Sequence, residues 1–274
     1  MKKIVKYTVL AIISLPLLLL IAWNVSVSEE FLKETIEKKS VHAPYSLKLN
    51  GFNKSIFIPF KVNIAEIKLL QDKTVMAVIS DAVISIKLEK ILSGNLFFTF
   101  SGRVSSGAVN LTYTAPLLKP FEKTLTAAID SVELSGLGFI KKAGIKGSGL
   151  MSGNFTLNAD NKGDGVFEVK KCHFEDFHGG GLYLPAKYIT EITGKLSTDT
   201  ETVNIESVYL TAENISCRIS GKIINGSLDV SIQIMPDADF KDKTILLLLK
   251  QYEVSPGVYV VRIARKLSFL NFPF

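Results

Sequence analysis

The fold is decided by residues 215–234, which read ISCRISGKIINGSLDVSIQI. Apolar and polar residues alternate on both sides of Asn225-Gly226, a dipeptide that favours a two-residue hairpin turn. A period of two places alternate side chains on the same face of a strand. The stretch therefore predicts an antiparallel hairpin with one apolar face. We expect that face to line an apolar groove, with these lining residues: Ile215, Cys217, Ile219, Ile223, Leu228, Val230, Ile232 and Ile234.

The same alternation runs through most of the chain from Ser46 onward, broken by Gly, Asn, Asp and Ser turns. A sheet of about a dozen one-faced strands cannot leave its apolar face in water, and the chain has few helices to cover it. The sheet must therefore fold over on itself, as a sandwich, a closed cylinder or a curled groove. Besides 215–234, the predicted strands are 62–69, 74–79, 82–88, 95–101, 108–114, 130–135, 149–158, 164–171, 186–196 and 203–210.

Two segments interrupt the strand pattern. Leu117 to Ile129 carries apolar residues at helical spacing and predicts a helix, with Pro120 tolerated near its start. Asp242 to Tyr252 predicts either a helix or a buried strand, because a short apolar run fits both.

The N-terminus predicts a membrane anchor. Residues Tyr7 to Trp23 form a nearly unbroken apolar run that follows three lysines and precedes Glu29 and Glu30, so the bulk of the chain is expected outside the cytoplasm. The alternative is a cleaved signal peptide, for which Ser26 and Ser28 offer only a poor cleavage site. The retained anchor predicts a single-pass protein of the inner membrane in a double-membraned bacterium, with a cytoplasmic N-terminus.

Three parts follow from this reading. Residues 1–28 form the cytoplasmic tip and the anchor, residues 29–45 form a stalk helix and linker, and residues 46–274 form a mainly β domain in the periplasm.

Charge and cysteine content narrow the function. The chain has 32 lysines and arginines against 26 aspartates and glutamates, a net charge of +6, but these are scattered singly and no stretch interleaves arginines with aromatics. We therefore predict no nucleic-acid partner. Cys172 and Cys217 are compatible with a disulfide in an oxidising compartment or with two small buried side chains, and their spacing does not decide between them.

No constellation of side chains predicts catalysis or a cofactor. The segment from Cys172 to Gly181 gathers a thiol, two histidines and two carboxylates, but no second ligand cluster exists to close a metal site. The glycine-rich segment from Lys146 to Gly153 is followed by a strand rather than by the helix that a phosphate-binding loop requires. The sequence predicts a protein that is not an enzyme and binds no metal or cofactor.

Four stretches carry a resemblance to a known family. They are residues 86–94 with 97–102 and 106–107, residues 147–157 with Gly165, Leu184-Pro185 with 203–221, and the closing residues 258–274. In these stretches the chain resembles protein N of the bacterial type II secretion system, a member of the wider AsmA-like group. Members of that family often end in a strand like Gly-Thr-Leu-x-x-Pro, whereas here Ala264-Arg265-Lys266-Leu267-Ser268 lacks the glycine.

The resemblance implies an accessory protein of type II secretion, with one N-terminal helix in the inner membrane and a curled periplasmic sheet. Its implied partners are the inner membrane and other type II secretion components. AsmA-like relatives imply the alternative function, a taco-shaped apolar groove that transfers phospholipid or maintains the envelope.

Overall fold

The computed structural model describes residues 21–40, 45–56, 58, 60–119, 122–142, 144–175, 177–179, 182–184 and 186–266. Most of the predicted anchor and the closing residues 267–274 lie outside this part of the chain. No helix among the described residues is long and apolar enough to cross a bilayer. The anchor stays a prediction.

The described residues form one antiparallel sheet of fourteen strands, which confirms the mainly β fold. Its strand order follows the chain, except that the short hairpin of β9 and β10 stands apart and the edge strand β15 lies outside β16. The strands are β1 (Ser46–Lys54), β2 (Lys61–Gln71), β3 (Thr74–Ile86), β4 (Asn95–Val104), β5 (Gly107–Pro116), β6 (Thr124–Glu133), β7 (Gly147–Asn158), β8 (Gly163–Phe174), β9 (Phe177–Gly179), β10 (Leu182–Leu184), β11 (Ile189–Asp199), β12 (Thr202–Ala212), β13 (Ile215–Ile224), β14 (Ser227–Pro236), β15 (Glu253–Ser255) and β16 (Val258–Lys266).

Helices are few and short. They are α1 (Glu29–Ser40), α2 (Leu88–Leu92), α3 (Gly138–Lys142) and α4 (Lys243–Leu249), and residues 21–26 are also helical. Single 3-10 turns occupy Leu134–Gly136, Ala186–Tyr188 and Lys250–Tyr252. Of the two alternatives for residues 242–252, the helix is therefore correct.

The helix predicted for residues 117–129 is wrong, since strand β6 begins at Thr124. Leu125 and Ile129 lie four residues apart, a spacing that is even and therefore fits a strand as well as a helix. Phe121, the third apolar residue of that pattern, lies outside the described residues.

Connections between strands alternate between two sides of the sheet. We call one side the anchor rim; it holds the described residues of 55–60, 87–94, 117–123, 159–162, 200–201 and 225–226. The other side, the plug rim, holds the described residues of 72–73, 105–106, 134–146, 175–188, 213–214 and 237–257. The predicted hairpin turn at Asn225-Gly226 is confirmed, with φ angles of 49° and 72° at its two residues. Both angles are positive, as a type I′ turn requires.

Bulges interrupt the alternation inside several strands. Gly51, Asp81, Ser131 and Lys171 have φ angles of 63°, 51°, 54° and 54°. Asp81, Ser131 and Lys171 each add a residue to their strand, so that the apolar residues around them lie three apart and yet on the same face of the sheet. At Gly51 the register with β2 is unbroken. The bulge at Asp81 lies inside β3, and this is why one strand was predicted as two, 74–79 and 82–88.

Helix α1, the predicted stalk helix, lies along the first edge of the sheet. Leu32 and Ile36 of this helix pack against the buried residues of β1 and β2. Three backbone N–H groups of β1 donate to its side chains: Leu47 to Ser40 Oγ (2.9 Å), Leu49 to Glu37 Oε1 (2.7 Å) and Lys54 to Glu29 Oε1 (2.9 Å). An edge strand with satisfied donors is protected from pairing with another chain.

Hydrogen bonds hold the segment at residues 21–26 against the same edge. The Trp23 side chain is 5% exposed, and its Nε1 donates to the carbonyl oxygen of Ser55 at 3.0 Å. Lys54 Nζ donates to three carbonyl oxygens: Trp23 (3.0 Å), Asn24 (2.8 Å) and Val27 (2.6 Å). Carbonyls at the end of a helix lack partners within it, so a lysine is well suited to hold them. We call this set of contacts the latch.

The bulge at Lys171 gives a first testable prediction. A left-handed backbone costs a residue with a side chain roughly 1–2 kcal/mol, whereas glycine adopts it freely but loses about 0.5–1 kcal/mol of unfolded-chain entropy. We expect Lys171→Gly to stabilise the protein by about 0.5–1 kcal/mol, a rise in melting temperature of roughly 1–4 °C. Lys170→Gly, in extended backbone beside it, is the control and should lower the melting temperature. Equal effects of the two changes would contradict the bulge.

Candidate functional site: the inner face of the sheet

The structure brings the eight predicted groove residues together on one face. In the register of β13 and β14, Cys217 lies opposite Ile234, and Ile219 lies opposite Ile232. Directly opposite residues point to the same side of a sheet. Four of the eight are buried, Ile215, Val230, Ile232 and Ile234, and the other four are half-buried. We call this side of the sheet the inner face.

The inner face continues across the neighbouring strands. Tyr259, Val261 and Ile263 of β16 lie opposite Ile234, Ile232 and Val230. In the other direction, from β13 through β12 to β1, each strand places the residues paired with these positions on the same inner face. Most of those residues are apolar or glycine. Most of these residues were absent from the predicted set. Their alternation was readable in each strand, but the order of the strands and the shifts at the bulges decide which face each one joins.

Three separate clusters of buried side chains cover parts of the inner face. The first lies on β1 to β4 and includes Trp23. In the second, Leu134 and Leu137 of the plug rim pack onto β4, β6 and β8. The third lies on β13, β14 and β16, where Phe240, Leu246 and Leu249 of the plug rim pack against it. Much of the plug-rim side is therefore filled by the protein's own side chains.

A stretch of the inner face nearer the anchor rim belongs to none of these clusters. We call it the open stretch, and its residues are Tyr113, Leu125, Ala127, Phe155, Leu157, Leu196, Val203, Ile205, Ile223 and Leu228. None of them is buried, and Leu125 is 37% exposed. They form adjacent rows across β5 to β14: in one, Leu125 lies opposite both Tyr113 and Leu157.

Two phenylalanine rings lie flat against the backbone on the inner face. A Cβ atom added to Gly165 would collide with the ring of Phe155, and one added to Gly194 would collide with the ring of Phe167. Glycine in a strand interior is otherwise unfavourable, and here it marks a close approach of a neighbouring group. Because each ring covers a glycine on the next strand, it does not stand up into the space above the sheet.

The opposite, outer face is polar. Ion pairs join neighbouring positions, such as Lys195 with Glu206 at 2.8 Å. The hydrogen bond from Lys195 lowers the pKa of Glu206 below its ordinary value. A shallow depression of about 470 Å³ on this face is lined in part by Asn154, Lys195 and Tyr209.

The two cysteines are free and far apart. Cys172 lies on β8 and Cys217 on β13, three strand steps apart in the sheet, which corresponds to roughly 14 Å. A disulfide needs Cα atoms within about 7 Å, so the disulfide is excluded; Cys172 is buried and Cys217 half-buried. Burial raises the pKa of Cys217 to about 11 and also raises the pKa of Cys172.

The Cys172 to Gly181 segment is split between two environments. Cys172 is buried and its thiol lies 3.4 Å from the carbonyl oxygen of Val169, whereas His173 is exposed. Among the described residues, no three His, Cys, Asp or Glu side chains are placed to hold a metal ion. Asp176 and the His178 side chain lie outside that part of the chain, so the absence of a metal site stays a prediction. The glycine-rich segment before it belongs to strand β7.

No family model, curated protein or solved structure matches the chain. The resemblance to protein N of type II secretion therefore stays a prediction.

The two faces of β14 give a second testable prediction. Val230 is 5% exposed on the inner face, and Val230→Asp would bury an unpaired carboxylate there. We expect a loss of about 3–5 kcal/mol in the free energy of unfolding. Ser231→Asp, the control on the outer face opposite Arg262, should change stability by no more than about 0.5 kcal/mol. Chemical denaturation of both variants measures the difference, and similar losses would mean that the sheet has no inner face.

The cysteines give a third prediction. A thiol whose pKa is raised stays protonated at pH 8, and only the thiolate reacts with disulfide reagents. Both thiols should therefore react slowly with Ellman's reagent in the native protein at pH 8 and rapidly in denaturant. Two reactive thiols per denatured, unreduced chain are expected, and none would indicate a disulfide.

Proposed function

We propose that this chain is an inner-membrane-anchored periplasmic protein whose inner face carries the acyl chains of a lipid. The open stretch supports this function best, because it is a mainly apolar surface that lies outside the three buried clusters and whose side chains stay partly exposed. The role is not enzymatic and needs no cofactor or nucleic acid. It belongs to the lipid-transfer or envelope-maintenance class.

The dimensions of the open stretch suit an acyl chain. Its longest row crosses from Tyr113 on β5 to Leu228 on β14, seven strand steps or roughly 34 Å, and passes through Gly163 on β8 and Thr198 on β11. Each methylene group that leaves water for an apolar surface contributes about 0.8 kcal/mol. A lipid whose acyl chain lay along the row would stabilise the complex through many such groups.

Curling of the sheet into an AsmA-like groove is part of the proposal. Adjacent strands rotate by roughly 20–25°, and open twisted sheets rarely exceed about ten strands without curling. This sheet has fourteen strands and contains bulges at Asp81, Ser131 and Lys171, which bend the strands that hold them. A curled sheet would shelter an acyl chain on the inner face while the polar outer face remained in water.

An accessory role in type II secretion, with other secretion components as partners, is the second candidate. Two observations favour it: the plug-rim side of the inner face is filled by the protein's own side chains, and the latch joins residues 21–26 firmly to the sheet. Both suit a scaffold that extends from the membrane into the periplasm. Genes for a secretin and a secretion ATPase beside the gene for this chain would favour this candidate.

Site-specific crosslinking in cells separates the two candidates and is the fourth prediction. A photoreactive phenylalanine analogue placed at Leu157 or Leu196, both on the open stretch, should form adducts with radiolabelled phospholipid. The control position is Val166, an apolar residue that is 48% exposed on the outer face, where we expect no lipid adduct. Protein adducts without lipid at all three positions would contradict lipid carriage and favour the secretion accessory.

A further inference from the structure

The anchor rim exposes apolar side chains next to the latch. Ile56 and Ile58, in the connection from β1 to β2, are 64% and 50% exposed, and Leu117 and Leu118, after β5, are 52% and 92% exposed. Large apolar side chains gathered in water-facing loops are characteristic of a surface that meets a partner or a membrane.

These loops form one continuous row. The connection that contains Ile58 is hydrogen-bonded to the end of β3, from Ile86 N to the Phe60 carbonyl at 3.1 Å. The next connection is hydrogen-bonded to the segment after β5, from Leu117 N to the Gly94 carbonyl at 2.8 Å. Ile58 and Leu88 also line a common depression. The exposed side chains therefore share one end of β1 to β5, three to four strand spacings long.

The latch fixes where the apolar N-terminal run meets the sheet. Trp23, the last residue of that run, is hydrogen-bonded to Ser55, next to Ile56 in the chain. A surface that binds the apolar N-terminal run therefore lies beside the anchor rim. On the anchoring proposed above, that surface is the inner membrane.

The charge close to the exposed apolar side chains favours the same assignment. Segments 55–61, 87–94 and 117–123 contain five lysines and two glutamates, a net charge of +3. On the plug rim, residues 237–253 contain four acidic residues and three lysines, a net charge of −1. Within that segment Leu247 and Leu248 are 74% and 51% exposed, but it lacks the positive charge that anionic lipid attracts.

We propose that the anchor rim docks onto the surface of the inner membrane, with Ile56, Ile58, Leu117 and Leu118 inserted among the headgroups of anionic lipid. This inference rests on the membrane anchoring in the proposed function and adds a second contact, made by the folded domain itself. It places the open stretch, which lies toward the same rim, within reach of the bilayer from which a lipid would enter.

Fluorescence quenching in nanodiscs tests the docking and is the fifth prediction. The full chain, with Cys172 and Cys217 changed to alanine, receives one new cysteine labelled with the polarity-sensitive fluorophore NBD, either Leu118→Cys or Leu247→Cys. Discs contain phosphatidylethanolamine and phosphatidylglycerol, with or without doxyl-labelled lipid. We expect the Leu118→Cys label to have blue-shifted emission that doxyl lipid quenches, and the matched Leu247→Cys label to emit as in water.

The outcomes separate the docking from the anchoring. If the chain is retained in the discs but neither label is quenched, the docking is wrong while the anchoring stands. Quenching at Leu247→Cys alone would also overturn the docking, because the opposite rim would then face the lipid. If the chain does not enter the discs at all, the anchoring fails and the proposed function fails with it. Both labelled positions are exposed, so melting temperatures close to that of the unlabelled chain confirm that folding is intact.

Discussion

Fourteen strands can give one sheet a single apolar face only if each of them turns its apolar side chains to the same side. Every step of one residue along a strand reverses the face, so two apolar residues that lie three apart in regular β3 or β8 would point to opposite faces. A bulge inserts one extra residue between them and so returns both side chains to the same face. At Lys171, one residue in left-handed backbone lets Val169 and Cys172 belong to the same buried cluster. The inner face exists because of these local corrections.

The edges and ends of the sheet divide the inner face into two regions. At the plug rim, Leu134 and Phe240 belong to segments long enough to fold back over the sheet, and the side chains beneath them are buried. At the anchor rim, the connections that follow β6 in the chain, such as Asn225-Gly226, are short turns. They are too short to fold back over the sheet. Loop length therefore accounts for the open stretch, and no special property of its side chains is needed.

Much of the sheet could be predicted from alternation and turn residues alone. The hairpin at Asn225-Gly226 and the eight residues around it were correctly placed on one face, because strict alternation and a two-residue turn leave a single register. A helix was wrongly predicted for residues 117–129 because Leu125 and Ile129 lie four apart, a spacing that fits both a helix and a strand. Strand β3 was wrongly predicted as two strands because the bulge at Asp81 interrupts its alternation. The rest of the inner face could not be predicted, because strand order and bulge position are set by contacts distant in sequence. For the same reason the latch was not predicted, since nothing in the sequence around Lys54 indicates that it meets residues 23–27.

The neighbour-by-neighbour order of the sheet has a consequence for how the chain acquires its structure. With the exceptions of β8 with β11 and β14 with β16, every large strand pairs with the one that precedes it and the one that follows it. Each hairpin can form once its second strand is present, and the short loops between most strands keep the entropy of closure small. A chain that emerges N-terminus first therefore adds strands in order to an existing edge, starting from the one that α1 covers. Such assembly is vectorial, and the edge that is still growing is the only one left open to misassembly at any moment.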